Sequence, residues 1–306
     1  LTDLISPPGC PSNPLHAAYY ADAACQCRVE IEQNVCIARD TFRVRISSPE
    51  IARTIVPGQF VMVRLPDLND PLLARPLALY DTVLEADGTP SGIDVVYLVL
   101  GKMTRRLATC RPGDALEVWG PLGNGFPPLP TKHLIMVAGG IGQTPFLAVG
   151  QEYLGSRRYG DPPRKLKSAK RVTLCYGVRT ADLAAGLPDF EAAGFDVRIS
   201  TDDGTLGHHG LVTDLLRRVL DETNDAKPAS ADRLVVCCGP EPMMEAVAKL
   251  CGAGSVPCLV SLETPMACGI GICFSCVAKV RQPDGDWDYK RTCVEGPVFD
   301  AERIVW

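Results

Sequence analysis

A chain of 306 residues that is 46% hydrophobic and 22% charged has the length for two or three domains and the composition of an ordinary globular protein. Its formal net charge of −5 provides no general attraction to nucleic acid or anionic membrane, and no apolar run reaches the roughly eighteen residues of a spanning helix. Residues 1–8 lack the basic and apolar regions of a signal peptide, so the chain is expected in the cytoplasm; disulfides are rare there, and fourteen cysteines point to metal ligands and reduced thiols.

Residues 1–27 read as an N-terminal extension in which Pro7, Pro8, Pro11 and Pro14 break regular structure, with a short helix expected over 17–24. Cys10, Cys25 and Cys27 lie close together but lack a fourth metal-ligating partner, and a tail packed on a neighbour is the preferred reading. From 28 to 126, β-rich segments at 27–35, 41–46, 59–65, 77–84, 93–100 and 115–119 alternate with turns such as Ser47-Ser48-Pro49 and Pro57-Gly58. Six short strands without long helices predict a small antiparallel β-barrel.

From 127 to 254 the texture changes. Continuous apolar strands at 133–138, 171–176, 196–200 and 233–238 alternate with helical periodicity at 144–153, 187–193, 211–220 and 242–250, which predicts a parallel-sheet α/β domain. The basic insert 157–170 is expected to be a solvated loop, and Cys175, Cys237 and Cys258 to pack as small hydrophobes. Residues 255–306 form a third, small domain that needs a metal to fold, with a strand at 277–280 and a turn at Pro283-Asp284-Gly285-Asp286.

That last segment carries the sharpest signal. Cys268, Cys273, Cys276 and Cys293 follow C-x4-C-x2-C…C, the spacing with which plant-type proteins hold a [2Fe-2S] cluster. Gly269 and Gly271 let backbone N–H groups turn toward the sulfurs. Structural zinc, the competing reading, usually comes as two C-x2-C pairs, and only Cys273 and Cys276 make one here.

Two glycine turns follow strands of the α/β domain. Gly139-Gly140-Ile141-Gly142-Gln143-Thr144-Pro145 joins a buried strand to a helix, where free N–H groups attract phosphate, although any tight turn there needs glycine. Cys238-Gly239-Pro240 ends a later strand at the same sheet edge, where open α/β sheets bind nucleotides. Asp202 and Asp203 either accept from ribose hydroxyls and repel a 2′-phosphate, favouring NAD over NADP, or form an ordinary Asp-Gly turn; Arg179 pulls the other way. In the barrel, Arg75 before Pro76-Leu77-Ala78 suits a diphosphate, or is a plain surface arginine.

Arg75-Pro76-Leu77-Ala78, Val96-Tyr97-Leu98, Gly101-Lys102-Met103-Thr104, Gly139-Gly140-Ile141-Gly142 and Cys238-Gly239-Pro240 resemble the ferredoxin-reductase superfamily in order and spacing. Within it, residues 262–271, 293–299 and the Asp202-Asp203 segment through Asp214 are similar to the electron-transfer subunits of NAD-linked (type B) dihydroorotate dehydrogenase, the likeness covering 28–306. The resemblance implies an FAD-binding barrel using Arg75, Pro76, Leu77, Ala78, Val96, Tyr97, Leu98, Gly101, Met103 and Thr104. It implies NAD held by Gly139, Gly140, Gly142, Thr144, Pro145, Asp202, Asp203, Cys238, Gly239 and Pro240, and a [2Fe-2S] cluster on the four cysteines. Ala78 and Met103 depart from the family, which usually has serine or glycine at the first and glycine at the second.

The resemblance further implies an oxidoreductase subunit of pyrimidine biosynthesis that passes electrons from a separate FMN-containing subunit, through cluster and FAD, to NAD+. It does not oxidise dihydroorotate alone, works in a heterotetramer of two catalytic and two electron-transfer subunits, and needs no catalytic side chain of its own; Glu263 reads as an exposed turn carboxylate. Two alternatives stand beside it: an NAD(P)H-linked flavin and iron–sulfur subunit of a ferredoxin, hydrogenase or sulfur reductase complex, and a zinc-stabilised, non-enzymatic binding protein.

Overall fold

Short alternating strands close on themselves in the first half of the computed structural model, which describes residues 21–222 and 232–306. β1 (Cys25–Ala38), β2 (Thr41–Ser47), β3 (Phe60–Arg64), β4 (Arg75–Leu84), β5 (Pro90–Leu98) and β6 (Ala115–Leu122) form a barrel in the order β1-β2-β5-β4-β3-β6, every pair antiparallel. Inward residues of alternating parity, among them Ile31, Val44, Val61, Leu79, Val95 and Val118, fill it. β1 begins at Cys25, two residues before the expected strand, with the Cys25 and Cys27 thiols directed at the carbonyls of Gly120 and Val118 on β6. Cys10 and residues 17–20 of the expected short helix lie outside the described residues.

Two short helices were not foreseen. The stretch expected as a Ser47-Ser48-Pro49 turn opens α1 (Pro49–Thr54), because proline at the first helical position lacks only an N–H that would go unbonded anyway; the helix buries Ile51 and Ala52. α2 (Lys102–Leu107) closes the barrel with Met103 and Leu107.

The remainder is built on one sheet. β7 (His133–Gly139), α3 (Phe146–Leu154), β8 (Arg171–Val178), α4 (Leu187–Ala192), β9 (Asp196–Thr201), β10 (His208–His209), α5 (Val212–Asp221), β11 (Arg233–Cys238), α6 (Glu241–Ala253) and β12 (Cys258–Ser261) precede a hairpin of β13 (Val277–Arg281) and β14 (Trp287–Arg291), then β15 (Val298–Asp300). The sheet order is β10-β9-β8-β7-β11-β12-β15, parallel except for β15. β12 and β15 belong to segment 255–306, so that segment is not set apart from the sheet. The apolar run at Cys258–Ser261 is too short to show a period, yet it completes the crossover from β11 through α6. Among the described residues the β13–β14 hairpin is a separate two-stranded sheet, with Val280 of β13 packed into the core beside Val260 and Phe299.

Barrel and sheet share a core: Tyr80 and Val96 pack with Phe126, Phe146 and Phe190. The Tyr80 hydroxyl donates to Asp189 at 2.7 Å, and Arg43 reaches the same carboxylate at 3.4 Å. The basic insert is a tie rather than a solvated loop. Tyr159 in it is 2% exposed and donates to Asp81 of β4 at 2.8 Å, while Arg164 clasps Glu152 and the Phe126 carbonyl.

Candidate functional site

The cysteine loop docks on the barrel. Cys276, Cys293 and Val294 share one apolar cluster with Phe60 and Met62 of β3, Ala74 and Leu122, and the Trp119 indole donates to the Cys268 carbonyl at 3.0 Å. Gly269 has φ +74°, and a Cβ there would lie 2.6 Å from Met62 Cγ, so the loop comes closer to β3 than any side chain permits. Thr292 fastens the distal cysteine, its N–H and hydroxyl both donating to the Cys276 carbonyl.

The four thiols meet two by two. Cys273 adjoins the Ser275 hydroxyl and Cys268, and these hydrogen bonds, Ser275 first, lower its thiol to about 6. Cys276 adjoins Cys293, whose thiol lowers that of Cys276 to about 6 while being itself pushed up. Among the described residues no group of three or more His, Cys, Asp or Glu side chains is arranged around a single metal ion. The thiols thus adjoin as Cys268–Cys273 and Cys276–Cys293, and two separate pairs suit two irons with two thiolates apiece better than one zinc.

Across the barrel lies a cleft of about 770 Å³ at the carboxyl edge of the sheet. Its floor is Gly139, Gly140, Ile141 and Gln143 after β7, Ser200 and Asp202 at the end of β9, and Gly239, Pro240 and Met243 after β11; its roof is Arg39–Thr41 and Leu98–Leu100 of the barrel. Arg39 pins the roof to the sheet side by an ion pair with Asp182 at 2.8 Å. The side-chain amide of Gln143 and the hydroxyl of Ser200 are buried in this wall without a hydrogen-bond partner. Gly140 lines the cleft and a Cβ on it would stand in open space, so its lack of a side chain leaves room for a ligand against the turn.

Residues 263–305 match the iron–sulfur cluster binding domain of dihydroorotate dehydrogenase B, 26–126 the oxidoreductase FAD-binding domain, and 136–249 the oxidoreductase NAD-binding domain. Over 282 residues the chain is 36% identical to the dihydroorotate dehydrogenase B (NAD+) electron transfer subunit of Desulforamulus reducens, with 88% of this chain and 94% of that one covered. It is 31% identical over 277 residues to the same subunit of Fusobacterium nucleatum, covering 90% and 96%. This chain belongs to the dihydroorotate dehydrogenase B electron-transfer subunit family.

A solved NADH-dependent reduced ferredoxin–NADP oxidoreductase, studied for flavin-based electron bifurcation, superposes with a TM-score of 0.73 at 28% identity over 91% of this chain and 90% of that one. The chain carries FAD-binding, NAD-binding and iron–sulfur domains. No helix among the described residues is long and apolar enough to cross a membrane.

The residues expected to hold FAD come together: Arg75–Ala78 start β4, and Val96–Leu98 end its neighbour β5 at the same end of the barrel. Arg75 turns its guanidinium on the Leu73 and Ala74 carbonyls and has no carboxylate partner among the described residues; open space surrounds Gly101. Leu77, Val96, Tyr97 and Met103 bury their side chains, Tyr97 donating to Asn34 at 3.0 Å, so only their backbone is available to a ligand. Thr104 is occupied as a helix cap, accepting from the N–H groups of Leu100 and Gly101.

For the dinucleotide, Gly139, Gly140, Asp202, Gly239 and Pro240 line the cleft, whereas Gly142, Thr144, Pro145, Asp203 and Cys238 do not. Gly142 is glycine because its Cβ would lie 2.3 Å from the Cys238 carbonyl, a chain-to-chain approach. Asp203 spends its carboxylate on the Thr205 N–H and hydroxyl as a turn, which lowers its pKa. Sequence reasoning missed Arg39, Gln143, Ser200, Met243 and Glu263 as cleft residues. A glutamine inside a glycine turn was the one legible sign.

Proposed function

We propose that this chain passes electrons from an FMN-containing dihydroorotate dehydrogenase subunit, through a [2Fe-2S] cluster and FAD, to NAD+ in pyrimidine biosynthesis. One observation carries the reading. Phe60 and Met62 of β3 touch the cysteine loop and are the cross-strand partners of Ala78 and Pro76 in the FAD stretch, while Leu98 of adjoining β5 lines the dinucleotide cleft. That adjacency supports a relay in the order cluster, FAD, dinucleotide across the barrel, with the first two proposed sites one strand apart.

When bound, FAD exchanges electron pairs with NAD and single electrons with the cluster. The chain's own residues bind and orient. Cys268 and Cys273 would hold one iron, and Cys276 and Cys293 the other. Arg75 would release its own carbonyls for the FAD diphosphate, with the backbone of Pro76–Ala78, Val96–Leu98 and Gly101–Thr104 along the cofactor. Ala78 offers no hydroxyl where relatives usually have serine or glycine, so hydrogen bonding there falls to the backbone. Gly139, Gly140, Gly239 and Pro240 let the dinucleotide approach the sheet edge, and Asp202 would take the adenosine ribose. The remaining expected residues, Gly142, Thr144, Pro145, Asp203 and Cys238, shape the turns beneath it.

In this reading 28–126 serves FAD, 127–254 NAD and 255–306 the cluster, with β12 and β15 lent to the NAD sheet. The assembly is a cytoplasmic heterotetramer of two catalytic and two electron-transfer subunits, with the cysteine loop at the contact. The loop's exposed Ile272 and Phe274 support that placement, being 66% and 64% exposed.

The test is anaerobic: the chain is purified with its native partner, dihydroorotate is added, and flavin and cluster absorbance are followed. Bleaching that requires the partner and is reversed by NAD+ is expected. If NADH bleaches both centres while dihydroorotate does nothing, the partner is another oxidoreductase, a second reading that the 28%-identical ferredoxin–NADP enzyme favours.

A further inference from the structure

Two exposed side chains stand on either side of Asp202 in the wall of the cleft. Arg179 follows β8, and Leu211, 62% exposed, lies between β10 and α5; β9, which Asp202 follows, runs between β8 and β10. All three lie on one face of the sheet. Gly177, two residues before Arg179, would place a Cβ 2.8 Å from Val212 Cβ and 3.4 Å from Ser200 Oγ, so the alternate positions Arg179 and Asp202 continue on the α5 side. Backbone hydrogen bonds fix both walls to the floor: the Asp203 N–H donates to the Arg179 carbonyl at 3.3 Å, and the Gly210 N–H to the Thr201 carbonyl at 3.1 Å. The Arg179 guanidinium has no hydrogen-bond or carboxylate partner among the described residues.

The walls stand two strand spacings apart, about 9–10 Å. A planar ring system touched on both faces at about 3.5–4 Å occupies about 7–8 Å, so one ring system fills the slot. Leucine covers an aromatic face by apolar contact, and a guanidinium stacks on the opposite face as a flat cation. The Asp202 carboxylate at the floor repels a phosphate and accepts from hydroxyls, so the ring arrives with a sugar beneath it. Barrel strand β5 meets the sheet at the turn after β7, two strands from β9. A ring that exchanges hydride with a flavin lies toward that turn, and the ring system left for the β10 edge is adenine.

We propose that Arg179 and Leu211 clamp the adenine of the dinucleotide between them, face to face, with Asp202 beneath on the adenosine ribose. This rests on the NAD-linked reading above. Both side chains are exposed, so substituting them opens no cavity in the core.

The test uses the holo chain, loaded with flavin and cluster. Dissociation constants are measured by calorimetry for ADP-ribose, and second-order rate constants of flavin reduction for NADH and for reduced nicotinamide mononucleotide, which lacks the adenosine. Leu211→Ala should weaken ADP-ribose and slow NADH about tenfold each, as expected for one stacking partner removed from a base, and leave the mononucleotide rate unchanged. Arg179→Lys keeps the charge but loses the plane and should do the same. Equal wild-type rate constants for NADH and the mononucleotide overturn the proposal whether or not the variants fold. Unchanged ADP-ribose binding in either variant, or an equal loss of the mononucleotide rate, overturns it too; in Arg179→Lys the unchanged result would make Arg179 a point charge for phosphate. Failure of NADH to bleach the wild-type flavin would instead refute the NAD-linked reading itself.

Discussion

Replacing Gly269 by alanine tests the claim that close backbone approach, rather than cysteine spacing alone, seats the cluster loop. At φ +74° an alanine carries left-handed strain of about 1–2 kcal/mol. Its Cβ would also stand 2.6 Å from Met62 Cγ and 3.0 Å from Leu122 Cδ1, both in a packed cluster, and overpacking of that kind costs about 1–3 kcal/mol more. The sum is about 2–5 kcal/mol. Gly285 is the internal control: it has φ +91° with nothing within 4 Å of where a methyl would stand, so Gly285→Ala bears the strain without the clash. The assay is the temperature at which the visible absorbance of the cluster is lost in the holo chain. Gly269→Ala should lower it on the order of 10 °C and Gly285→Ala on the order of 3 °C, taking a few degrees per kcal/mol for a domain of this size. Equal shifts in the two variants would show that Met62 and Leu122 do not constrain the loop.

Three further outcomes are expected. His133 is 7% exposed and contacts Thr173 at 2.8 Å; burial, then Arg171, pulls its pKa down to about 4. Above pH 6.5 it is neutral folded or unfolded, but between 6.5 and 4 only the unfolded chain takes the proton, so stability is lost on acidification, on the order of 2 kcal/mol by pH 5. The urea midpoint of the wild-type chain should thus fall more steeply from pH 7 to 5 than that of His133→Gln, and parallel curves would contradict the argument. Asp202→Asn removes the carboxylate from a cleft wall that also holds Arg179, so the preference for NADH over NADPH in flavin reduction should drop about tenfold; an unaltered preference would move cofactor choice elsewhere. Asp189→Ala strands the Tyr80 hydroxyl and Arg43 at the junction of barrel and sheet and should cost about 1–3 kcal/mol by denaturant titration.

The elements legible in the sequence were those whose signal is local. Four cysteines at C-x4-C-x2-C…C, alternating barrel strands and the continuous apolar strands β7, β8 and β11 each announce themselves within about ten residues, because side-chain periodicity and ligand spacing are properties of a short stretch of chain. The short helices α1 and α2 and the four-residue β12 were not readable. Each is too brief for a period, and each exists because a neighbour covers it: Ile51 and Met103 by the barrel interior, β12 by β11 and β15.

Tertiary structure alone decided what the site is made of. Gly142 and Gly139 belong to one motif in the sequence, yet only Gly139 faces the cleft, since Gly142 is pressed against the Cys238 carbonyl by the packing of β7 beside β11. Asp202 and Asp203 are adjacent, but the turn takes the carboxylate of the second and leaves the first in the wall. Arg39 reaches the cleft from the barrel, about a hundred residues before Gln143, because the β1–β2 hairpin folds over the sheet edge. Spacing along the chain therefore marks the four cysteines proposed as cluster ligands, three of which lie within one loop. The contacts of two bodies joined through Tyr80, Val96 and Phe146 determined the dinucleotide cleft, whose walls no single stretch of sequence contains.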